Sequence, residues 1–171
     1  MSLLSTAELK KYRGLLDTLP KDSPEIPKIK TLLQEDQKER CKEHFLSFVN
    51  SMWSAFIPGK HHKDMADAFE RVANGTLKRL IINMPPRHTK SEFASFLFPA
   101  WFLGKFPQKK IIQTAHTAEL AVGFGRKVRN LVNTQEYQEI FPTKLSSDSK
   151  AAGRWNTDKG GDYFAIGVRS E

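Results

Sequence analysis

With one cysteine, Cys41, in 171 residues, the chain forms no disulfide within itself and assembles no thiolate zinc site, a composition suited to a reducing compartment. It also lacks long apolar runs. The longest, "FASFLFPAWFLG" at 93 to 104, is interrupted by Pro99 and falls short of the roughly 20 residues that a membrane helix needs. The N-terminal "MSLLSTAELKKYRG" has no sustained apolar segment of the secretory kind. These absences predict a cytoplasmic, non-secreted chain with no membrane partner. Acidic residues are in deficit, 19 Asp plus Glu against 27 Lys plus Arg for a net charge of +8, which favours polyanions such as nucleic acid or nucleotide phosphates. Internal repeats and low-complexity segments are absent too.

What is present is punctuation. Residues 5 to 16 read as a short helix, and "PKDSPEIP" at 20 to 27 as an extended, proline-rich linker. Residues 1–27 are thus expected to be an N-terminal appendage, and 28–171 the main unit. From Lys28 to Trp53 the pattern is helical, with Phe45, Phe48, Val49 and Met52 on one face. After the Pro58-Gly59 turn, Met65, Phe69 and Val72 mark a second helix that ends at Asn74 and Gly75. Arg79–Asn83, "RLIIN", and "KKIIQTA" at 109 to 115 read as buried strands. The helix between them has the length of a right-handed crossover, which predicts a parallel βαβ core. Leu120, Phe124, Val128 and Leu131 continue as a helix capped by Thr117, residues 134 to 141 as a short helix, and "GRWNTDKGGDYFAIGV" as a hairpin. The class is α/β.

Between the expected strand at 79–83 and the helix from Lys90 lies "MPPRHT", where a phosphate-binding loop belongs. Such a loop converges backbone N–H groups on phosphate oxygens at a helix start, with a lysine as point charge and a hydroxyl on Mg²⁺. Lys90 and Ser91 supply the last two. Against G-x-x-x-x-G-K-[ST], Met84 and Thr89 stand where glycines belong, and a β-branched residue is poorly suited to the second of these positions. The residues alone therefore leave two readings open: a phosphate loop, or a plain turn in which Pro85 and Pro86 stiffen the approach, Thr89 caps the helix, and Arg87, His88 and Lys90 are solvated. His61 and His62 begin a helix, where neighbouring side chains diverge by about 100°, a poor two-point metal site; helix-start polar residues are the plainer role. Arg126 and Arg129 share a helix face, either a solvated basic face or a contact to DNA or nucleotide. Trp155 reads as hairpin packing.

The words around the loop resemble one family, the large terminase subunits of tailed double-stranded DNA bacteriophages, ATP-driven motors that package and cut viral DNA. "LKRLIINMPPRHTKSEFASFLFPAWFLGKFP" is similar to the strand, variant Walker A loop (commonly Pro-Pro-Arg-x-Gly-Lys-Ser) and following helix of that family. "HFLSFVNSMWSAFIPGKHHKDMADAFERVANG", "KKIIQTAHTAELAVGFGRKVRNLV" and "AGRWNTDKGGDYFAIGV" resemble its flanking segments, so the likeness covers about residues 40 to 168. It implies a P-loop NTPase-like fold with N-terminal helices and a C-terminal hairpin. It implies ATP and Mg²⁺ held by Pro86, Arg87, His88, Thr89, Lys90 and Ser91, with Ser91 as the Mg²⁺ ligand. Arg87 becomes the catalytic loop arginine that stabilises the γ-phosphate, and Phe56, Pro58 and His61 become candidate adenine contacts. The implied partners are viral double-stranded DNA, the portal protein, the small terminase subunit and the rest of the large subunit, with a ring when complete, in the host cytoplasm. Thr89 departs from the family's glycine.

No acidic residue downstream of the loop ends an apolar strand, so a Walker B carboxylate to position Mg²⁺ and activate water is missing, as is the family's RNase H-like nuclease domain. The expectation is an N-terminal piece of the ATPase domain, with hydrolysis near background and no nuclease activity by itself. The alternative expectation is a basic, non-catalytic module descended from such a motor, which binds DNA or packaging partners.

Overall fold

His44 divides what the periodicity reads as one long helix. In the computed structural model, which describes residues 3–168, α2 (Glu25–Glu43) stops at His44, whose backbone is extended, and α3 (Phe45–Met52) starts immediately after it. The restart is capped from a distance: Glu70 Oε1 accepts the Phe45 N–H at 2.8 Å, placing a carboxylate where a helix start exposes unpaired donors. Glu70 belongs to α4 (Lys60–Ala73), so sequence-local signals do not mark the break.

Ahead of these lies α1 (Thr6–Thr18), closed by a capping box in which Ser5 and Glu8 bond each other's backbone. The segment 20–27 is not an extended linker throughout. Pro24 takes a helical conformation as N-cap of α2 and Pro27 falls in its first turn, where the missing N–H would have no helical partner anyway. Leu4 N–H donates to Asp36 Oδ1 at 2.7 Å, and Arg40 bridges Asp36 and the Leu4 carbonyl, so the N-terminal helix is tied to α2.

The apolar run at 93 to 104 forms the central helix, which explains its hydrophobicity on all sides. Helical backbone starts at Lys90, widens into a π-helical segment Glu92–Leu97, and continues as α5 (Phe98–Lys105). Pro99 lies inside this run without ending it. The wider turn, with Phe98 N–H bonded to Phe93 O, loosens the backbone where an α-helix would meet the proline ring. Trp101 donates Nε1–H to Cys41 O and Tyr137 donates its hydroxyl to Ala100 O, both at 2.8 Å. At Gly104 a Cβ would stand 2.4 Å from the Phe141 ring, so only glycine fits there.

Beyond α5 come β1 (Lys110–Ala115), α6 (Ala118–Val132), α7 (Gln135–Ile140), β2 (Leu145–Lys150), β3 (Arg154–Thr157) and β4 (Asp162–Gly167). The strands form one four-stranded sheet in the order β1-β4-β3-β2. β1 and β4 are parallel, with Ile112 opposite Phe164, while β3 pairs antiparallel with both β4 and β2. The expected hairpin is β3–β4, turning through Gly160 at φ +87°; β2 was not anticipated. The molecule is mixed α/β, with seven α-helices and one parallel strand pair among the described residues.

The expected βαβ core is not formed. Residues 79–83 form no strand and pair with none, and the parallel partner of β1 is β4. Leu80, Ile82 and Met84 pack against the core while Ile81 is 85% exposed. This is the alternation of a strand with no neighbour to complete its hydrogen-bond ladder. Nor is β1 buried, since Ile112 is 72% exposed. Helix α6 covers the other face of the sheet through Ala121, Gly125, Val128 and Val132, one position round from the expected stripe, and leaves Leu120 at 51% exposed. Gly125 sets that choice: its carbonyl accepts Trp155 Nε1–H at 3.2 Å, and a Cβ there would stand 2.6 Å from Ala152 O.

Trp155 stacks on Tyr163 beneath α6, with centroids 4.9 Å apart and planes 7° apart. The Tyr163 hydroxyl is buried without a hydrogen-bond partner. Tyr163→Phe should therefore raise the unfolding free energy by about 1 kcal/mol in urea titration, and a loss of similar size would mean that the hydroxyl is satisfied. Phe45 is fully buried among the rings of Phe69, Phe93, Phe98 and Trp101. Phe45→Ala should cost about 3–5 kcal/mol by the same measurement.

Candidate functional site

The segment 84–91 joins the unpaired stretch at 79–83 to the central helix, and its backbone is unusual. Arg87 (φ +64°) and Thr89 (φ +60°) both occupy the left-handed region, uncommon for any residue with a Cβ and an outlier for a β-branched one. The template's glycine position thus has a glycine-like conformation although a threonine fills it. Backbone of this kind turns successive N–H groups toward one side, the arrangement from which anion-binding nests are built. Residues 87–92 line a shallow depression of about 260 Å³.

The plain-turn reading has Thr89 capping the helix, and the structure has it otherwise engaged. Thr89 Oγ1 donates to His88 O at 2.7 Å and lies 2.8 Å from His62 Nε2. His62 Nδ1 accepts the Gly59 N–H at 2.9 Å, which leaves the ring's proton on Nε2, aimed at Thr89. His88 bonds the Pro86 carbonyl through Nδ1 at 2.9 Å, and Lys90 folds its ammonium toward the Pro85 carbonyl at 3.4 Å. Arg87 and Ser91 are exposed.

Electrostatically the loop presents Arg87 and Lys90. The nearest acidic residue in sequence, Glu92, is drawn off by Lys127 of α6 at 3.0 Å, whose ammonium also lies over the Phe96 and Phe124 rings. Lys127 of α6 thus carries an ion pair to the loop helix. Arg129 bonds Asn130.

Of the candidate adenine contacts, His61 stands nearest the loop, its ring 6.0 Å from that of His88 and 3.8 Å from that of His62. Phe56 packs on His62 at 4.7 Å and on Phe93 at 5.6 Å, and Pro58 is exposed. Among the described residues no three His, Cys, Asp or Glu side chains cluster as metal ligands, and no helix is long and apolar enough to cross a membrane.

No protein-family model, curated protein or solved structure matches this chain.

Residues 87–91 have the groups that fit a phosphate. Two left-handed positions, two cations and a helix start converge in one loop, and the Ser91 hydroxyl, exposed in the first helical turn, is a donor type that Mg²⁺ accepts beside phosphate and water. His62 is the residue that motif reading missed. Its partner Thr89 is 27 positions away, and the only local hint was a polar residue at the start of an amphipathic helix.

His62 is 6% exposed, and burial, reinforced by the neighbouring His61, holds its pKa below the ordinary value of 6.5. Below 6.5 the unfolded chain takes up a proton that the folded chain resists, so stability is complete above that pH and declines as pH falls below it. Urea midpoints measured from about pH 8 to about pH 5 should fall on the acid side, and His62→Gln should flatten that part of the profile. An acid slope that survives the substitution unchanged would assign it to another group.

Proposed function

We propose that residues 84–91 are a phosphate-binding loop and that the chain is the ATP-binding part of a DNA-packaging motor of the large terminase subunit kind. The observation that carries this reading is the left-handed backbone at Arg87 and Thr89 immediately before the helix that begins at Lys90. A plain turn gains nothing from holding a threonine in that conformation, whereas a loop that must present its amides to an anion does.

In this reading Lys90 supplies a point charge to the phosphates and Ser91 a hydroxyl to Mg²⁺. Bound Mg²⁺ would neutralise charge on the phosphate oxygens. Arg87, exposed at the loop's rim, follows charge on a γ-phosphate as a planar, bidentate donor. Pro86 and His88 set the loop backbone, the latter through its bond to the Pro86 carbonyl. The net charge of +8 suits both ATP and a DNA track. Coupling of nucleotide to viral DNA movement, the host-cytoplasmic setting, and partnership with the portal protein, the small subunit and the remainder of the large subunit all rest on the family resemblance.

One observation favours the alternative, a non-catalytic module that binds DNA or packaging partners. Ile112, Phe164, Ile166 and Val168 are 72%, 40%, 43% and 74% exposed, an apolar surface of the kind that marks contact with another protein.

Calorimetric titration with Mg²⁺-ATP separates the two. Wild type should bind, and Lys90→Ala should weaken binding at least tenfold, about 1.4 kcal/mol. Equal, negligible binding by both proteins would remove the nucleotide reading and leave the interaction module.

A further inference from the structure

We infer that His62 is a positioning residue of the loop, and that its Nε2–H, donated to the Thr89 hydroxyl, holds residue 89 in the left-handed conformation that a glycine would adopt unaided. The inference rests on the phosphate-loop reading for its purpose, although the interaction itself is independent of any nucleotide.

The hydrogen bonds run in one consistent direction. Gly59 N–H donates to His62 Nδ1 at 2.9 Å, His62 Nε2–H to Thr89 Oγ1 at 2.8 Å, and Thr89 Oγ1–H to His88 O at 2.7 Å. Each donor has one acceptor, and one imidazole tautomer satisfies the whole chain. The ring cannot readily turn away. It stacks on Phe93 at 5.2 Å and 30°, meets the edge of Phe56 at 4.7 Å, and projects from the third residue of α4. The donor that reaches Thr89 is thus fixed by packing from outside the loop.

Thr89 has little freedom left. Its hydroxyl accepts from the buried ring and donates to the carbonyl of the residue before it, which fixes the side chain relative to the peptide that sets φ. Strained backbone persists where surrounding structure over-determines it, and here the surrounding structure is one histidine from another helix. A glycine at 89 would reach the same conformation without strain but would also leave it freely. The threonine–histidine pair replaces intrinsic permissiveness with an imposed geometry, so that ligand binding has less ordering to do.

The test is a double-mutant cycle on the full chain with wild type, His62→Ala, Thr89→Gly and the double variant, each titrated with Mg²⁺-ATP and unfolded in urea. His62→Ala should weaken ATP binding about tenfold when residue 89 is threonine and by less than about twofold when it is glycine. His62→Gln, whose amide can accept from Gly59 and donate to Thr89, should recover most of the loss. The wild-type imidazole should show the Nε2–H tautomer by ¹⁵N NMR, with an Nε2 signal that shifts in Thr89→Gly. An equal loss from His62→Ala in both backgrounds would reduce His62 to packing and overturn the inference. Should wild type and Lys90→Ala both fail to bind ATP while the urea midpoints still show coupling, the nucleotide reading falls and the His62–Thr89 control of the loop stands. Should ATP bind as expected while the cycle is additive in both measurements, the control falls and the nucleotide reading stands.

Discussion

Everything at the loop depends on how the Phe45 ring is packed. It meets Phe69 of α4 edge-on at 5.6 Å, and Phe93, Phe98 and Trp101 of the central helix at 5.5, 5.7 and 5.5 Å. Edge-to-face aromatic contacts are directional, so this cluster fixes the relative setting of the two helices as well as their separation. The Glu70 carboxylate strengthens the same junction by capping Phe45 from α4. With the helix bodies locked together, their beginnings are also placed: Gly59 to His62 at one start, Thr89 to Ser91 at the other. A hydrogen bond of 2.8 Å between His62 and Thr89 is possible only because these two starts cannot drift.

The loop combines conformational and electrostatic arrangements that point the same way. Left-handed backbone at two side-chain-bearing positions costs on the order of 1–3 kcal/mol at each, and persists only where surrounding structure over-determines it. Near these positions Lys127 pairs with Glu92, so that carboxylate offsets less of the positive charge of Arg87 and Lys90 than an unpaired one would. Widening of the helix into π form directly after Ser91 lies beside the loop, where such distortions are often found in functional sites. Apolar packing thus positions the loop, hydrogen bonding shapes it, and charge separation gives it sign.

Local signals made much of this legible. The Ser5–Glu8 capping box, the Thr117 and Thr134 caps, the Asn74–Gly75 stop and the Gly160 turn each act within a few residues, and each element they bound was anticipated. Features set by distant partners were not. The break at His44 is held by Glu70, the inward stripe of α6 is chosen by the clearance over Gly125, and the pairing of β1 skips to β4. Residues 79–83 have the composition of a strand, but strand formation requires a neighbour and composition does not specify one. The same division holds at the site. Arg87 to Ser91 are contiguous and could be read as a motif, while His62 reaches Thr89 only through the packed helices.

The bare side of the sheet bears on how copies of the chain behave toward each other. β1 ends the sheet, and its sequence, KIIQTA, offers no proline and, beyond Lys110, no charge to deter an incoming strand. The apolar side chains of Ile112, Phe164 and Ile166 lie on the adjoining open face. What keeps such molecules apart at a distance is the surplus of 27 basic over 19 acidic residues, a repulsion that extends about 10 Å at 0.1 M salt and shrinks as salt is added. Any polyanion that neutralises this positive field therefore also lowers the barrier between sheets.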